Sequence, residues 1–267
     1  MYNQRKSHAK GTPENAMFKL ALNGTYGDSN NKYSPFFDPK FTMSITINGQ
    51  LMLCMLAEQI MKVDGLKMIQ LNTDGITFKV PKANIELTRN ICKWWEGVTG
   101  LKLEEAIYKR MMIADVNNYV AEYENGEVKQ KGRYVTEPEW HKNHSSLVIQ
   151  KAAVEYLLNG VEPAEYLREH DDGMDFLMKA KVPRTSRLMY GDQRIQRISR
   201  YFVSNKGCPL VKVMPPLPKN PGKERHIGIN VGWMTTVCNN ILDFNPHNIN
   251  YEYYESEVEK LISFARS

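Results

Sequence analysis

Between Leu66 and Val80 the chain has little choice but to double back on itself. Leu66-Lys67-Met68-Ile69-Gln70-Leu71 and Ile76-Thr77-Phe78-Lys79-Val80 are short β-prone runs, and Asn72-Thr73-Asp74-Gly75 between them reads as a tight hairpin turn. One carboxylate, Asp74, falls at the tip. Asp-Gly between two strands is the most ordinary of short hairpin signals, so the turn by itself assigns no function.

A second stretch lies upstream, Lys19-Leu20-Ala21-Leu22-Asn23-Gly24-Thr25-Tyr26-Gly27. Thr12 is a good N-cap, Pro13 suits the first helical position and Glu14 the positive end of the helix dipole, which predicts a helix from Pro13 to Tyr26. Gly27 is expected to end it. At helical pitch Lys19, Asn23 and Tyr26 form one polar stripe, and Phe18 and Leu22 supply an apolar flank. A cation, an amide and a phenol then share one face.

Lys-x-x-x-Asn-x-x-Tyr-Gly followed downstream by a hydrophobic strand and Thr-Asp-Gly resembles the second and third polymerase motifs of family B DNA polymerases, the bacteriophage branch above all. The pair stands in family order and covers the C-terminal part of such an enzyme. The resemblance implies an α+β fold: an antiparallel palm sheet with packed helices, preceded by a fingers helix and followed by a mainly helical thumb. Its segments here are residues 1–32 (partial fingers), 33–135 (distal palm with the Thr-Asp-Gly hairpin) and 136–267 (thumb and C-terminal helix).

The resemblance also implies roles. Asp74 matches the catalytic, metal-holding aspartate, and Asn72 stands where many relatives carry a second acid. Gly75 replaces the usual serine. Lys19 is expected on the triphosphate as a flexible point charge, with Arg5 or Lys10 beside it and Asn23 and Tyr26 lining the pocket of the nascent base pair. Asn117-Asn118-Tyr119 occupies the place of a Lys-x-Tyr element, which makes Tyr119 a primer-strand candidate, and Lys131-Gly132 resembles a lysine-glycine turn near the duplex. An ordinary strand-end glycine is the equal alternative at Gly132.

The chemistry implied is transfer of a nucleotide from a dNTP to a primer 3′-hydroxyl with two magnesium ions, Mg2+, held by two aspartates. Primer-template DNA and dNTP are the expected partners. The other aspartate belongs to a first motif for which no match precedes Lys19, so an N-terminal half carrying that residue and the exonuclease is a further expected partner, and the chain alone is expected not to extend primers. The same residues admit two other readings: a non-catalytic remnant that grips duplex or primer-template, and a metal-dependent phosphotransferase with an unrelated sheet.

With 267 residues, 42% of them hydrophobic, the chain can bury a real core. A net charge of +5 is compatible with a polyanionic partner. Cys54, Cys92, Cys208 and Cys238 are scattered with no metal-ligand spacing, and His141 and His144 find no third ligand nearby. No leader is visible and the apolar run Leu51–Ala57 is too short to cross a bilayer, so a cytoplasmic protein with no membrane partner is expected, in the bacterial host cell if the chain is viral.

Other segments follow from periodicity. A helix over Phe41 to Val63 is expected to be deeply buried, and Ala83 to Val98 to be helical with Trp94 and Trp95 used in packing. Strand-like runs at Lys102–Tyr108, Met111–Tyr123 and Glu127–Val135, with a turn at Glu124-Asn125-Gly126, suggest a four-stranded or larger antiparallel sheet. Beyond Leu147, helices are expected at Val148–Asn159, Pro163–His170, Asp172–Ala180 and Tyr251–Phe264. Arg194, Arg197 and Arg200 alternate with Ile195 and Ile198 on an expected helix, where in a thumb they would pair with DNA phosphates.

Overall fold

Local signals resolve into a mixed α+β architecture whose sheets are all antiparallel. A computed structural model describes residues 1–266, which divide into two units, residues 1–105 and residues from 106 onward, each with its own core.

In the first unit, helices α1 (Tyr2–Lys6) and α2 (Pro13–Asp28) are joined through Asn15, and Thr12 caps α2 by accepting from the Asn15 amide at 3.3 Å. Helix α2 runs through Gly27 rather than ending there, because Gly27 stays at ordinary helical φ and Ser29 takes the cap, its hydroxyl donating to the Tyr26 carbonyl at 2.6 Å. Helix α3 (Pro39–Ile60) begins at Asp38, whose carboxylate accepts from the Phe41 amide. Strands β1 (Lys67–Leu71) and β2 (Ile76–Lys79) form the expected hairpin, pairing Met68 with Phe78 and Leu71 with Ile76. Helix α4 (Ile85–Thr99) closes at Gly100 in the left-handed region.

Leu56, Ile60 and Trp95 form the core of this unit, with Met68, Ile76 and Phe78 of the hairpin packed on them. The Trp95 indole donates to the Met52 carbonyl at 2.7 Å, tying α4 to α3. The expected deep burial of residues 41–63 is corrected. Only the end of α3 is buried, while Met43 and Leu51 are each 61% exposed. Helical periodicity identifies the face that seeks cover; among the described residues of this unit nothing covers it.

The second unit opens with β3 (Tyr108–Asp115), β4 (Asn118–Tyr123) and β5 (Val128–Lys131), a three-stranded meander whose β4–β5 turn uses Gly126 at φ +85°. Helices α5 (Leu147–Asn159), α6 (Pro163–Glu169) and α7 (Gly173–Phe176) follow. Next come β6 (Met178–Lys181), β7 (Arg187–Tyr190), β8 (Gln193–Ile195), β9 (Ile198–Cys208), β10 (Leu210–Met214), β11 (Arg225–Ile229) and β12 (Thr235–Val237). Helix α8 (Tyr251–Arg266) completes the described chain. The strand orders are β12-β9-β6 and β11-β10-β7-β8. Tyr254 of α8 anchors the core: its hydroxyl donates to the Phe176 carbonyl at 2.8 Å and accepts from the Val203 amide at 3.1 Å.

Four expectations are corrected here. The sheet read across residues 66–135 is instead a two-stranded and a three-stranded sheet in separate units, and Leu101–Ile107 is irregular. The segment from 136 is not mainly helical, since residues 178–237 are largely strand. The Asp172–Ala180 helix stops at Phe176, because Met178 to Lys181 pair with Ile198 to Tyr201. The Arg194–Arg200 helix is likewise replaced by β8 and β9. Arg-Ile-Gln-Arg-Ile-Ser-Arg has near-helical spacing, but pairing with β6, β7 and β12 overrides it.

Candidate functional site

At the hairpin tip the Asn72 amide donates to the Gly75 carbonyl at 2.9 Å, and the Asn72 side-chain oxygen accepts from the Thr73 amide at 2.7 Å. Asn72 is therefore occupied in shaping the turn. Gly75 is outside the left-handed region, and a Cβ there would meet nothing within 4 Å, so this Asp-Gly does not use the glycine-dependent turn geometry its sequence suggests. Asp74 is exposed and makes no hydrogen bond or ion pair among the described residues.

Lys19, Asn23 and Tyr26 are all exposed on α2 in the same unit. Lys19 and Asn23 carry no polar contact among the described residues, and the Tyr26 hydroxyl lies 2.9 Å from the Thr46 hydroxyl of α3. No hydrogen bond or ion pair joins this face to Asp74. Arg5 donates through Nε to the Asn15 side-chain oxygen at 3.3 Å. Lys10 pairs with Glu104 at 2.6 Å; the hydrogen bond from the ammonium holds that carboxyl below the usual range, although both groups are solvent-exposed and such a pair yields readily.

For a magnesium ion the local oxygen donors are the Asp74 carboxylate and, already engaged, the Asn72 amide. Among the described residues no three of His, Cys, Asp or Glu come together in metal-binding geometry. One carboxylate falls short of the oxygen ligands a magnesium ion takes, so the described residues do not by themselves make such a site.

The remaining predicted residues belong to the second unit. Tyr119 is only 5% exposed on β4, and the ammoniums of Lys129 and Lys131 lie 5.9 and 5.8 Å from its ring centroid. What this position offers a strand is those two cations. Gly132 has φ +65°, and an added Cβ would stand 2.2 Å from the Asn118 side-chain oxygen and 2.3 Å from the Asn117 carbonyl. The glycine is thus required by the Asn117-Asn118 turn, whose Asn118 oxygen also accepts from the Arg133 amide at 2.8 Å. Arg194 on β8 and Arg197 just beyond it are exposed and have no ion pair among the described residues.

Two polar clusters escaped the sequence reading. Asn15 is buried and bridges the carbonyls of Arg5 and His8 through its side-chain nitrogen, at 3.2 and 2.9 Å. Asp175 is also buried, its Oδ2 accepting from Lys151 at 2.5 Å and facing His170 Nε2 at 2.7 Å. Burial works against charge on Lys151, but Asp175 more than offsets it and holds the ammonium above the ordinary lysine range. The cluster pins α5 to the α6–α7 connection. Only the Thr12-x-x-Asn15 spacing offered a sequence signal; the Lys151–Asp175 separation offered none.

No known protein family and no curated protein matches the chain. No helix among the described residues is long and apolar enough to cross a membrane.

Proposed function

We propose that the chain is the C-terminal fingers, palm and thumb portion of a bacteriophage-type family B DNA polymerase, with Asp74 as one of the two aspartates of nucleotidyl transfer. The observation that carries this reading is the uncommitted carboxylate at a hairpin tip, in the same unit as a helix presenting Lys19, Asn23 and Tyr26 to solvent. The motif order and spacing supply the rest.

In this reading the Asp74 carboxylate would anchor a magnesium ion at the turn, and a partner half contributes the second carboxylate. When bound, two such ions stabilise the attacking and leaving oxygens of an in-line displacement. Lys19 neutralises the dNTP phosphates, and Lys10 joins it by exchanging the exposed Glu104 for phosphate. Asn23 and Tyr26 orient the base and sugar, and Arg5, steadied by Asn15, backs the cationic face. Lys131, Arg194 and Arg197 contact primer-template phosphates without reading sequence.

The test combines this chain with an upstream half bearing the missing aspartate, primer-template and dNTP. Lys19→Ala is expected to raise the KM for dNTP more than it lowers DNA affinity. Triphosphate turnover that ignores the template would move the chain to the phosphotransferase class. DNA binding with no synthesis in the complete mixture would leave it a binding remnant, which the exposed arginines of the second unit favour.

A further inference from the structure

The strands of the second unit carry a charge imbalance of which the proposed primer-template contacts use only Arg194 and Arg197. Residues 178–237 contain twelve Lys or Arg but only two carboxylates, Asp192 and Glu224. Of those cations, Arg187 alone has an ion pair among the described residues, to Glu224 at 2.7 Å. The preceding residues 147–176 reverse the balance, with seven Asp or Glu against Lys151 and Arg168. No ion pair among the described residues joins the two segments.

Part of that imbalance is concentrated on one face of β6 and β9. Met178 and Ala180 are buried, so the strand alternation turns Lys179 and Lys181 to the opposite, exposed face. The register sets Lys179 directly across from Arg200, and Lys181 across from Ile198. Like charges opposed across an antiparallel pair repel, and no acid among the described residues forms an ion pair with either. Farther along β9 the same face is closed by Phe244, whose ring lies 5.0 Å from that of Phe202; Lys179 is exposed and Arg200 half-buried.

A loop with a bare aromatic ring is anchored to β6 at its C-terminal end. The Ser146 amide donates to the Leu177 carbonyl at 2.9 Å and the Lys179 amide to the Ser145 hydroxyl at 3.0 Å, which fixes the end of the 137–146 loop against β6. Trp140 on that loop is 90% exposed, more than any other large apolar side chain described. His141 lies edge-on to it at 5.7 Å and faces Glu139 at 3.3 Å. Cations in a row follow a phosphate backbone, and a solvated indole stacks on a base only if that base is not already stacked in a duplex.

We propose that Lys179, Lys181 and Arg200, with Trp140, form a track for single-stranded nucleic acid. The inference does not depend on Asp74 and stands if the chain performs no chemistry. The test measures anisotropy of a labelled oligothymidylate and of a duplex of equal length on the full chain across a salt series. Trp140→Ala is expected to weaken single-strand binding about tenfold at unchanged salt slope, with Trp140→Phe restoring most of it. The combined Lys179→Gln, Lys181→Gln, Arg200→Gln variant is expected to reduce the log–log salt slope by about 2. Should that variant fail to fold, Trp140→Ala decides alone, since the indole makes no core contact. Unchanged single-strand binding by Trp140→Ala, or equal losses on duplex, overturns the proposal. So does polyglutamate that competes as well as the oligonucleotide, which would assign the patch to an acidic protein.

Discussion

The two units treat apolar surface in opposite ways. In the second, Phe176, Phe202, Leu188 and Tyr254 are buried together in one core under α8. The first buries Leu56, Ile60 and Trp95, yet leaves Met43, Ile47 and Leu51 of α3 and Ile69 and Leu71 of β1 in solvent. Its sheet has two strands and relies on packing against α3 and α4. Exposed apolar faces of this kind mark contact surfaces. The second unit thus closes its core by its own packing, whereas the first leaves an apolar face of α3 and β1 in solvent. That contrast supports the proposed partner half.

The comparison breaks most visibly in the core of the second unit. Phe202→Ala is expected to cost about 4 kcal/mol in chemical denaturation, because the ring is fully buried against Phe244. Asp175→Ala, which leaves Lys151 and His170 without their shared anion, should cost about 3 kcal/mol by the same measurement. Gly132→Ala is expected to cost about 2 kcal/mol, from the left-handed φ and the overlap with Asn118. Gly75→Ser should be near neutral in thermal melts, since the hairpin tip is open there.

Acid titration sharpens the contrast further. Hydrogen bonds from Lys109 and then Arg110 lower the Glu122 pKa, and the Asn117 amide and then the Asn118 side chain lower that of Asp115. Folded values below the unfolded ones mean that this stabilisation is present above about pH 4 and is lost as the pH falls through the folded values. Glu122→Gln should flatten the acid limb of a stability–pH curve. The smallest effect is expected in the first unit: Leu51→Ser should change stability by less than about 0.5 kcal/mol. A loss there as large as that of Phe202→Ala would erase the distinction between the units.

What the sequence disclosed was local. The hairpin of residues 66–80, the Thr12 cap and the Gly126 turn depend on neighbours a few residues away, and all three form. The exposure of Asp74 and of the Lys19 face follows from the same local logic. Pairing at a distance was hidden. Arg194 to Arg200 join strands whose partners lie in β6, β7 and β12, and the usable clue was Gly191-Asp192, a two-residue turn with Gly191 at φ +55°. Lys151 and Asp175 meet across 24 positions, which no spacing rule reaches. Nor does periodicity say whether a helix face such as that of α3 finds cover within the chain.

The role of Asp74 is tested most directly by primer extension with magnesium and all four dNTPs, using this chain alone and mixed with an upstream half. The chain alone is expected to be silent, the mixture to synthesise, and Asp74→Asn to reduce that synthesis by orders of magnitude. Steady incorporation by the chain alone, or a mixture indifferent to Asp74→Asn, would contradict that role.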